Sequence, residues 1–472
     1  MSDSFDLVVI GGGPGGYAAA LYGAGAGLDV AVVEKHKLGG TCLHVGCIPA
    51  KELLETAAVC RTVASAGEFG INSSAPTVDM NKAQARKQKV VEQLHRGVGK
   101  LLENRKVTLV DGWGSVRSSS GTDLTDLTVA VAGGASGEMQ LNARYVIVAT
   151  GSVPRTLAGF EVDGERIMSS DELLSIDKVP ERVAIIGGGA IGLEFASMLC
   201  DLGSQVTVVE ALPQILPGVD ADVSKALVRA FKKRKIQVRA GVSVDGCSQT
   251  KDGVELQVAG GESLLVDAVV VCVGRRPFTE GLDLEPVGVQ VDQGGYVVVN
   301  DFCQTTNERI YAVGDVVRTP QLAHVAFGEA IMVIKHLLGE PVAPVDYDRV
   351  PWAIYCHPEV AYVGYSEAAA TDAGFDVTVS THRYMGNGRA MILGETDGLV
   401  KVIAERSADG SGGQILGVHM MGPWVTEQLG QGHLAVNWEA TAAEVAEFVQ
   451  PHPTLSEMFG EAVLSLTGRD LH

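Results

Sequence analysis

Two stretches of this chain follow the same plan, and nothing else in the sequence restricts its fold as tightly. FDLVVIGGGPGGYAAALYGAGAGLDVAVVE runs from Phe5 to Glu34, and RVAIIGGGAIGLEFASMLCDLGSQVTVVE runs from Arg182 to Glu210. Each is an apolar run, a glycine cluster, a helix-period apolar stretch, a glycine break, a second apolar run and a terminal glutamate. In both copies the acid stands 23 positions after the first fingerprint glycine. Gly11 and Gly187 suit the tight turn out of the first strand. Gly13 and Gly189 let backbone approach a diphosphate, and Gly16 and Gly192 let helix pack on strand. The diphosphate then meets unpaired N–H groups at a helix N-terminus, and Glu34 and Glu210 meet the ribose hydroxyls of an adenosine. One glycine cluster is a weak signal. Strand, fingerprint, helix, strand and acid in that order, twice, predicts two Rossmann-like dinucleotide-binding domains. Two βαβ units that hold no ligand are the plainer alternative.

At 472 residues the chain exceeds one core, and about 150 residues per domain suggests roughly three. The formal net charge of −20 repels phosphate backbones and anionic lipid, so neither nucleic acid nor membrane is an expected partner. The start, MSDSFDLVVIGGG, has no basic region, and its apolar run soon gives way to glycine, unlike a targeting peptide. No apolar stretch approaches the ~20 residues of a membrane helix. A cytoplasmic location is expected, where structural disulfides are rare. Of eight cysteines only Cys42 and Cys47 are close partners, without the two-residue spacing of zinc ribbons, and no metal is expected.

Between the repeats, residues 80–106 read as a long polar helix or helix pair. Residues 118–144 alternate apolar and polar residues, predicting a β-meander. Tyr145–Gly151 reads as a buried strand running into a glycine turn, and ERIYAVGD as another that ends at Asp315. After about Asp346, strands (WAIY, VTVSTHRY, LVKVIAE, ILGVHMMG) precede helices, the texture of a separate α+β domain. The fold class expected is therefore α/β: two Rossmann-like domains plus a C-terminal α+β domain.

GGTCLHVGCIPAK, Gly39 to Lys51, is the most informative segment. Residues five apart in a straight helix have Cα atoms about 7.5 Å apart. Bonded cysteines need roughly 4.4–6.8 Å, so the segment must bend or unwind if Cys42 and Cys47 bond. Gly46 could permit that, and Pro49 suits a first helical turn. Cys47 would then lie near a helix N-terminus, which favours thiolate. Two reduced cysteines without a role remain the alternative. Near the other end, His452 is the side chain best suited to take and return protons in thiol exchange. Glu457 could fix its tautomer, although Thr454-x-x-Glu457 is also a capping box that could serve a helix alone.

The motifs GGGPGG, GGTCLHVGCIP, ATG, GGGAIGLEF, GRRP at Gly274–Pro277, YAVGD and HPTLSE occur in this order. On them the chain resembles the pyridine nucleotide-disulfide oxidoreductase family, over essentially its whole length. The resemblance implies FAD in the first nucleotide fold and a nicotinamide dinucleotide in the second. It implies domains at 1–150 (FAD, first part), 151–279 (NAD), 280–346 (FAD and central, second part) and 347–472 (dimerisation). Cys42 becomes the outer thiol that exchanges with substrate, and Cys47 the inner one against the flavin. Lys51 becomes the cation near flavin N5, paired with Glu194. Gly40, Thr41, Gly114, Thr150, Gly151, Asp315 and Ala323 fall on further FAD positions. Glu194, Val242 and Gly274 fall on nicotinamide-dinucleotide positions. His452 and Glu457 become the acid–base pair that reaches the active site of the other subunit, implying a homodimer with shared active sites.

Two departures stand out: His44 and Ala50 replace the asparagine and serine usual in the family's dehydrogenase branch. Ala211-Leu212-Pro213 after Glu210 offers no arginine for a 2′-phosphate, favouring NAD over NADP. The tail SLTGRDLH adds no redox cysteine pair. The implied activity is oxidation of protein-bound dihydrolipoyl groups, electrons passing through a Cys42–Cys47 disulfide and FAD to NAD⁺. Lipoyl domains and the core of a 2-oxo acid dehydrogenase complex are the implied partners. The alternatives are an NADH-dependent reductase of another small disulfide, a docking component, and a redox sensor without turnover.

Overall fold

The computed structural model describes residues 3–118, 127–134 and 137–471. The chain divides into two compact units. Met1–Leu53, Asn81–Arg155 and Gly274–Tyr347 form the first; Leu54–Met80, Thr156–Val273 and Asp348–His472 form the second.

In the first unit, strand Asp3–Ile10 pairs in parallel with Val30–Glu34 on one side and Met139–Val148 on the other. Thr108–Asp111 adds beyond Val30–Glu34, and Ile310–Ala312 adds to Met139–Val148. Parallel strands need crossovers that cover both faces, which is why these runs are apolar throughout. Leu7 and Val9 face a core shared with Ala19, Ala20, Ala330 and Val333, while Val8 and Ile10 face another with Val116, Val129 and Leu141. Each fully buried aliphatic side chain contributes about 1.5–3 kcal/mol, so two-sided burial holds the sheet.

The expected meander and the expected strand at Tyr145–Gly151 share one element. Met139–Val148 pairs antiparallel with Leu127–Ala132 through its first half and parallel with Ile310–Ala312 through its second. The pattern changes from alternating to continuous where the strand passes from a half-covered to a fully covered sheet. Residues 119–126 and 135–136 of the expected meander lie outside the described residues. The long polar segment is one helix, Met80–Asn104.

The second unit repeats the parallel plan in the strand order Gln237–Ala240, Gln205–Glu210, Arg182–Ile186, Ala268–Val271, Ile167–Met168. Beside it stands a three-stranded antiparallel sheet, Val244–Thr250, Gly253–Val258 and Glu262–Val266, that the sequence pattern did not disclose. Its burial rests mainly on Val254, Leu256, Val258 and Val266. The C-terminal segment forms an antiparallel sheet ordered Trp352–Ile354, Glu359–Gly364, Gly412–Gly422, Leu399–Arg406, Val377–Arg383. Glu359–Gly364 was not among the expected strands. Alternation gives this sheet two different faces. Ala361, Val363, Val400, Val402, Val418 and Met420 pack against helices carrying Leu429, Val436, Phe459 and Val463. In direct cross-strand register on the alternate positions stand Trp352, Tyr362, His419 and Lys401.

Among the described residues no helix is long and apolar enough to cross a membrane, and no cluster of three or more His, Cys, Asp or Glu could hold a metal.

Candidate active site

Both glycine fingerprints have the backbone their spacing predicts. Gly11 (φ +105°) and Gly187 (φ +112°) are left-handed, and a Cβ on either would lie 2.4 or 2.3 Å from the carbonyl oxygen of Ala149 or Cys272. A Cβ on Gly16 or Gly192 would lie 1.8 or 2.1 Å from the oxygen of Gly11 or Gly187, so only glycine lets each helix start against its strand. At Gly13 a Cβ would come only to 3.8 Å from Gly40, and at Gly189 it would meet nothing within 4 Å. At these two glycines a Cβ would meet open space, which is what backbone approach by a diphosphate requires. Gly13 and Gly189 each directly precede a 12-residue helix. Both acids are already oriented. Glu34 accepts the Gly12 N–H at 2.7 Å and the His36 N–H at 2.8 Å; Glu210 accepts Gly188 N–H at 2.6 Å and Leu212 N–H at 2.7 Å. Each carboxylate keeps lone pairs for a ribose.

In the first unit the chain runs from Glu34 through Gly39 (φ +103°) and Gly40 (φ +56°) into the dithiol. The helix is interrupted as the cysteine spacing requires: Gly40–His44 ends at Val45, and a second helix, Cys47–Ser65, begins at the other cysteine. A Cβ on Gly46 would lie 2.9 Å from the Thr41 oxygen and 3.3 Å from the Cys42 Cα, so this glycine permits the close return. Both cysteines are half-buried, and their side chains hydrogen-bond. That bond and burial hold the Cys42 thiol far above its ordinary pKa, while the Lys51 cation pulls it down. Cys47 occupies the first turn of a 19-residue helix, where the dipole stabilises a thiolate. Ala50 is buried in the same helix.

Two side chains flank the dithiol, and only one of them was legible in the sequence. Tyr17, directly after Gly16, is pushed up to about 12 by burial and then by Cys42 and Cys47. His44, flagged only as a departure, donates from Nε2 to the Leu38 carbonyl at 2.9 Å, and His95 Nδ1 donates to the same oxygen at 2.9 Å. Burial holds His44 below the ordinary imidazole range, with the Leu38 bond opposing.

Asp315 accepts the Ser152 hydroxyl at 2.5 Å, and Arg275 donates to that hydroxyl at 2.7 Å. Thr150 donates to the Phe278 carbonyl at 2.6 Å; Gly151 (φ +70°) accepts the Phe278 N–H at 2.9 Å. Gly274 (φ +99°) accepts the Arg155 N–H at 3.0 Å and belongs to the first unit. Gly114 is packed rather than open, since a Cβ there would press on Ile10 and Val33 at 3.1 and 3.2 Å. Ala323 opens the 15-residue helix Ala323–Leu337, and shortly before it Gln321 has a buried Nε2 with no hydrogen-bond partner among the described residues. An orphaned donor beside a helix N-terminus fits a ligand rich in acceptors, as FAD is. Beneath the Asp315 turn, fully buried Glu329 accepts the Gly314 N–H at 2.6 Å and the Tyr347 hydroxyl at 3.0 Å.

The second unit contains the remaining candidates. Glu194, buried on helix Ala190–Asp201, accepts the Tyr355 N–H at 2.9 Å. Val242 donates its N–H to the Glu210 carbonyl at 2.9 Å. His452 Nδ1 donates to Glu457 Oε1 at 2.7 Å, leaving Nε2 to exchange a proton, and its side chain is 76% exposed. Glu457 Oε2 accepts the Thr454 N–H at 2.6 Å, and Thr454 Oγ1 accepts the Glu457 N–H at 3.3 Å. Glu457 therefore both closes the Thr454–Glu457 turn at the start of helix Glu457–Ser465 and orients the imidazole, one link on each carboxylate oxygen.

The Pyridine nucleotide-disulphide oxidoreductase profile matches residues 5–330, and the dimerisation domain of the same family matches residues 350–463. The chain belongs to this family. It is an NAD-dependent flavoprotein oxidoreductase, its cofactors are FAD and NAD, and a homodimer is the assembly its dimerisation domain implies. It is 42% identical to the dihydrolipoyl dehydrogenase of Bacillus subtilis (strain 168), over 100% of both chains. It is 40% identical to dihydrolipoyl dehydrogenase 3 of Pseudomonas aeruginosa, over 99% of both. In structure it is similar to LpdA from Mycobacterium tuberculosis, with a TM-score of 0.91 at 27% identity, covering 98% of this chain and 99% of that one.

Proposed function

We propose how the residues of this chain divide the work of a dihydrolipoamide dehydrogenase. The enzyme oxidises dihydrolipoyl groups and delivers the electron pair to NAD⁺. His452, with Nδ1 held by Glu457, takes a proton from one substrate thiol through Nε2. The resulting thiolate attacks Cys42 of the Cys42–Cys47 disulfide; an S–S bond forms to Cys42, the internal bond breaks, and Cys47 leaves as thiolate. The second substrate thiol attacks the substrate sulfur bonded to Cys42 and expels Cys42, which takes that thiol's proton and leaves as a thiol, completing oxidation of the lipoyl ring. The helix N-terminus at Cys47 stabilises the thiolate formed there. FAD, when bound, would supply the two-electron relay between the dithiol and NAD⁺. Gly11, Gly13, Gly16, Glu34, Gly40, Thr41, Lys51, Gly114, Thr150, Gly151, Asp315 and Ala323 would hold FAD. Gly187, Gly189, Gly192, Glu194, Glu210, Val242 and Gly274 would hold NAD. Lys51 would supply positive charge to the flavin.

The functional division follows the segments 1–150, 151–279, 280–346 and 347–472. In the homodimer each His452–Glu457 pair serves the dithiol of a second copy. Lipoyl domains and the core of a 2-oxo acid dehydrogenase complex are the partners, and the cytoplasm is the compartment. The observation that carries the reading is the hydrogen-bonded thiol pair in the break between helices Gly40–His44 and Cys47–Ser65, directly after a nucleotide fold. Anaerobic titration with dihydrolipoamide tests it. A long-wavelength thiolate-to-flavin absorption at two-electron reduction, followed by NADH formation on adding NAD⁺, is expected. No such absorption and no NADH, with turnover of another disulfide by NADH, would replace this reading.

A further inference from the structure

After Glu210 the chain folds back over the second fingerprint. Leu216 donates its N–H to the Gly188 carbonyl at 3.0 Å, and Ile215 Cγ2 would lie 2.8 Å from a Cβ on Gly188. Leu216 does this at φ +49°, a left-handed conformation that a leucine adopts only when its surroundings impose it. Gln214 Nε2 spans the loop to the Val219 carbonyl at 3.1 Å, and Ser224 Oγ holds the Ile215 carbonyl at 2.9 Å.

The far end of the loop is fixed by the C-terminal sheet of the same unit. Asp220 donates its N–H to His419 Nδ1 at 3.1 Å. Its Oδ1 accepts Lys401 Nζ and the Asp222 N–H, each at 3.0 Å, and its Oδ2 accepts the Glu367 N–H at 3.2 Å. Lys401 is buried and also donates to Asp222 at 2.8 Å and Glu367 at 2.6 Å. Gly218 lies under Tyr362, whose hydroxyl would be 2.6 Å from a Cβ there. Tyr362, His419 and Lys401 are cross-strand neighbours, so one row of the sheet grips one end of the loop. His419 donates from Nε2 to the Tyr365 carbonyl at 3.0 Å and is therefore the neutral tautomer whose Nδ1 can accept.

We propose that Lys401 and His419 are positioning residues for the nicotinamide nucleotide: they fix Asp220, and through it the strained loop that shapes the second fingerprint. The inference rests on the reading of that fold as the NAD site. A buried ion cluster adds little net stability, and in some proteins it fixes one arrangement over its alternatives. Here the arrangement fixed is a loop whose other end touches the fingerprint backbone. Without the cluster, Leu216 relaxes and the fingerprint is competent only part of the time.

Steady-state kinetics of the holoenzyme with dihydrolipoamide test this. Lys401→Met should raise KM for NAD⁺ about fivefold, the factor expected when roughly one molecule in five keeps the competent loop. The kcat and FAD content should stay near wild type. Leu216→Gly, which removes the backbone strain, should restore most of the KM in the Lys401→Met background. If Lys401→Met does not fold, Asp222→Asn with Glu367→Gln trims the same cluster from its exposed side and should raise KM in the same direction. An unchanged KM, or KM, kcat and FAD content all failing together, overturns the proposal. Glu210→Ala separates the two claims. KM unchanged there removes the NAD assignment and the proposal with it; KM raised there but unchanged in Lys401→Met overturns the clamp alone.

Discussion

The two nucleotide loops solve one geometric problem with different residues. In each, the second glycine of the GGG run, between the first two fingerprint positions, has its carbonyl capped by an N–H from the loop after the acid: Gly39 to Gly12 at 2.8 Å, and Leu216 to Gly188 at 3.0 Å. In each, the residue before that donor lays its side chain where the fingerprint glycine lacks one, Leu38 on Gly12 and Ile215 on Gly188. Each of those residues has its own carbonyl held by side chains, Leu38 by His44 and His95, Ile215 by Ser224. The left-handed corner is a glycine in the first loop and a leucine in the second. A left-handed leucine costs roughly 1–2 kcal/mol, and a glycine avoids this. The first loop has no choice, because a Cβ on Gly39 would stand 2.3 Å from Leu43 Cδ2 in the redox helix. A corner that must lead straight into a reactive segment is made of glycine. A corner that leads into a plain helix can be a packed side chain held from outside.

The largest effect should fall where the loops differ most. Cys42→Ser or Cys47→Ser should lower dihydrolipoamide turnover by about three orders of magnitude or more while FAD remains bound, measured as turnover per mole of flavin. Retained turnover in either variant would mean that the first loop differs from the second only in shape. Next come the open glycines. Gly13→Ala and Gly189→Ala meet no tight protein contact, so any loss must come from the ligand. We expect weaker FAD retention in the first and a raised KM for NAD⁺ in the second, each by about 1–3 kcal/mol of overpacking. Gly16→Ala and Gly192→Ala serve as contrasts that fail before any ligand arrives. Normal NAD⁺ kinetics in Gly189→Ala would show that the second cradle is not where the diphosphate lies.

A pH effect of intermediate size should arise from the hold on the second loop. Burial pushes His419 down to about 4, with Asp220 opposing, so the folded protein keeps it neutral. The unfolded chain binds a proton near the ordinary imidazole value of about 6.5. The resulting stability is complete above about pH 6.5 and is lost as pH falls toward 4, for roughly 3 kcal/mol in all. Denaturant unfolding between pH 7.5 and 4.5 should show a steeper decline for wild type than for His419→Gln. Parallel curves would remove His419 from the account.

What could be read ahead of the structure was local. The fingerprint glycines, the paired acids and the break between Cys42 and Cys47 all follow from spacing within about thirty residues and from steric or covalent limits. The dual use of Glu457 was also present in Thr454-x-x-Glu457 beside His452. Whatever depends on register between distant strands was not visible. Trp352, Tyr362, His419 and Lys401 are unremarkable one by one and become a row only when four strands align. Glu329 carries no local signal either, and only helix Ala323–Leu337 places it under Gly314. The hairpins between Val244 and Val266 carry too few buried positions to stand out from loop sequence.

The smallest predicted effect probes the first loop's own hold. The Leu38 carbonyl has two lone pairs and two imidazole donors, one next to the dithiol and one from helix Met80–Asn104. Removing either donor leaves the other in place, so His44→Asn or His95→Asn alone should cost under about 1 kcal/mol in denaturant stability. Removing both leaves a half-buried carbonyl without a side-chain donor, and the double variant should cost more than the sum of the singles, as expected for groups that share a partner. The coupling should also appear in the pH midpoint of the thiolate-to-flavin absorption, because the Leu38 carbonyl ties the corner at Gly39 to the helix that carries Cys42. Strict additivity in stability, with an unmoved midpoint, would mean that the two histidines act independently and that glycine geometry alone sets the first corner.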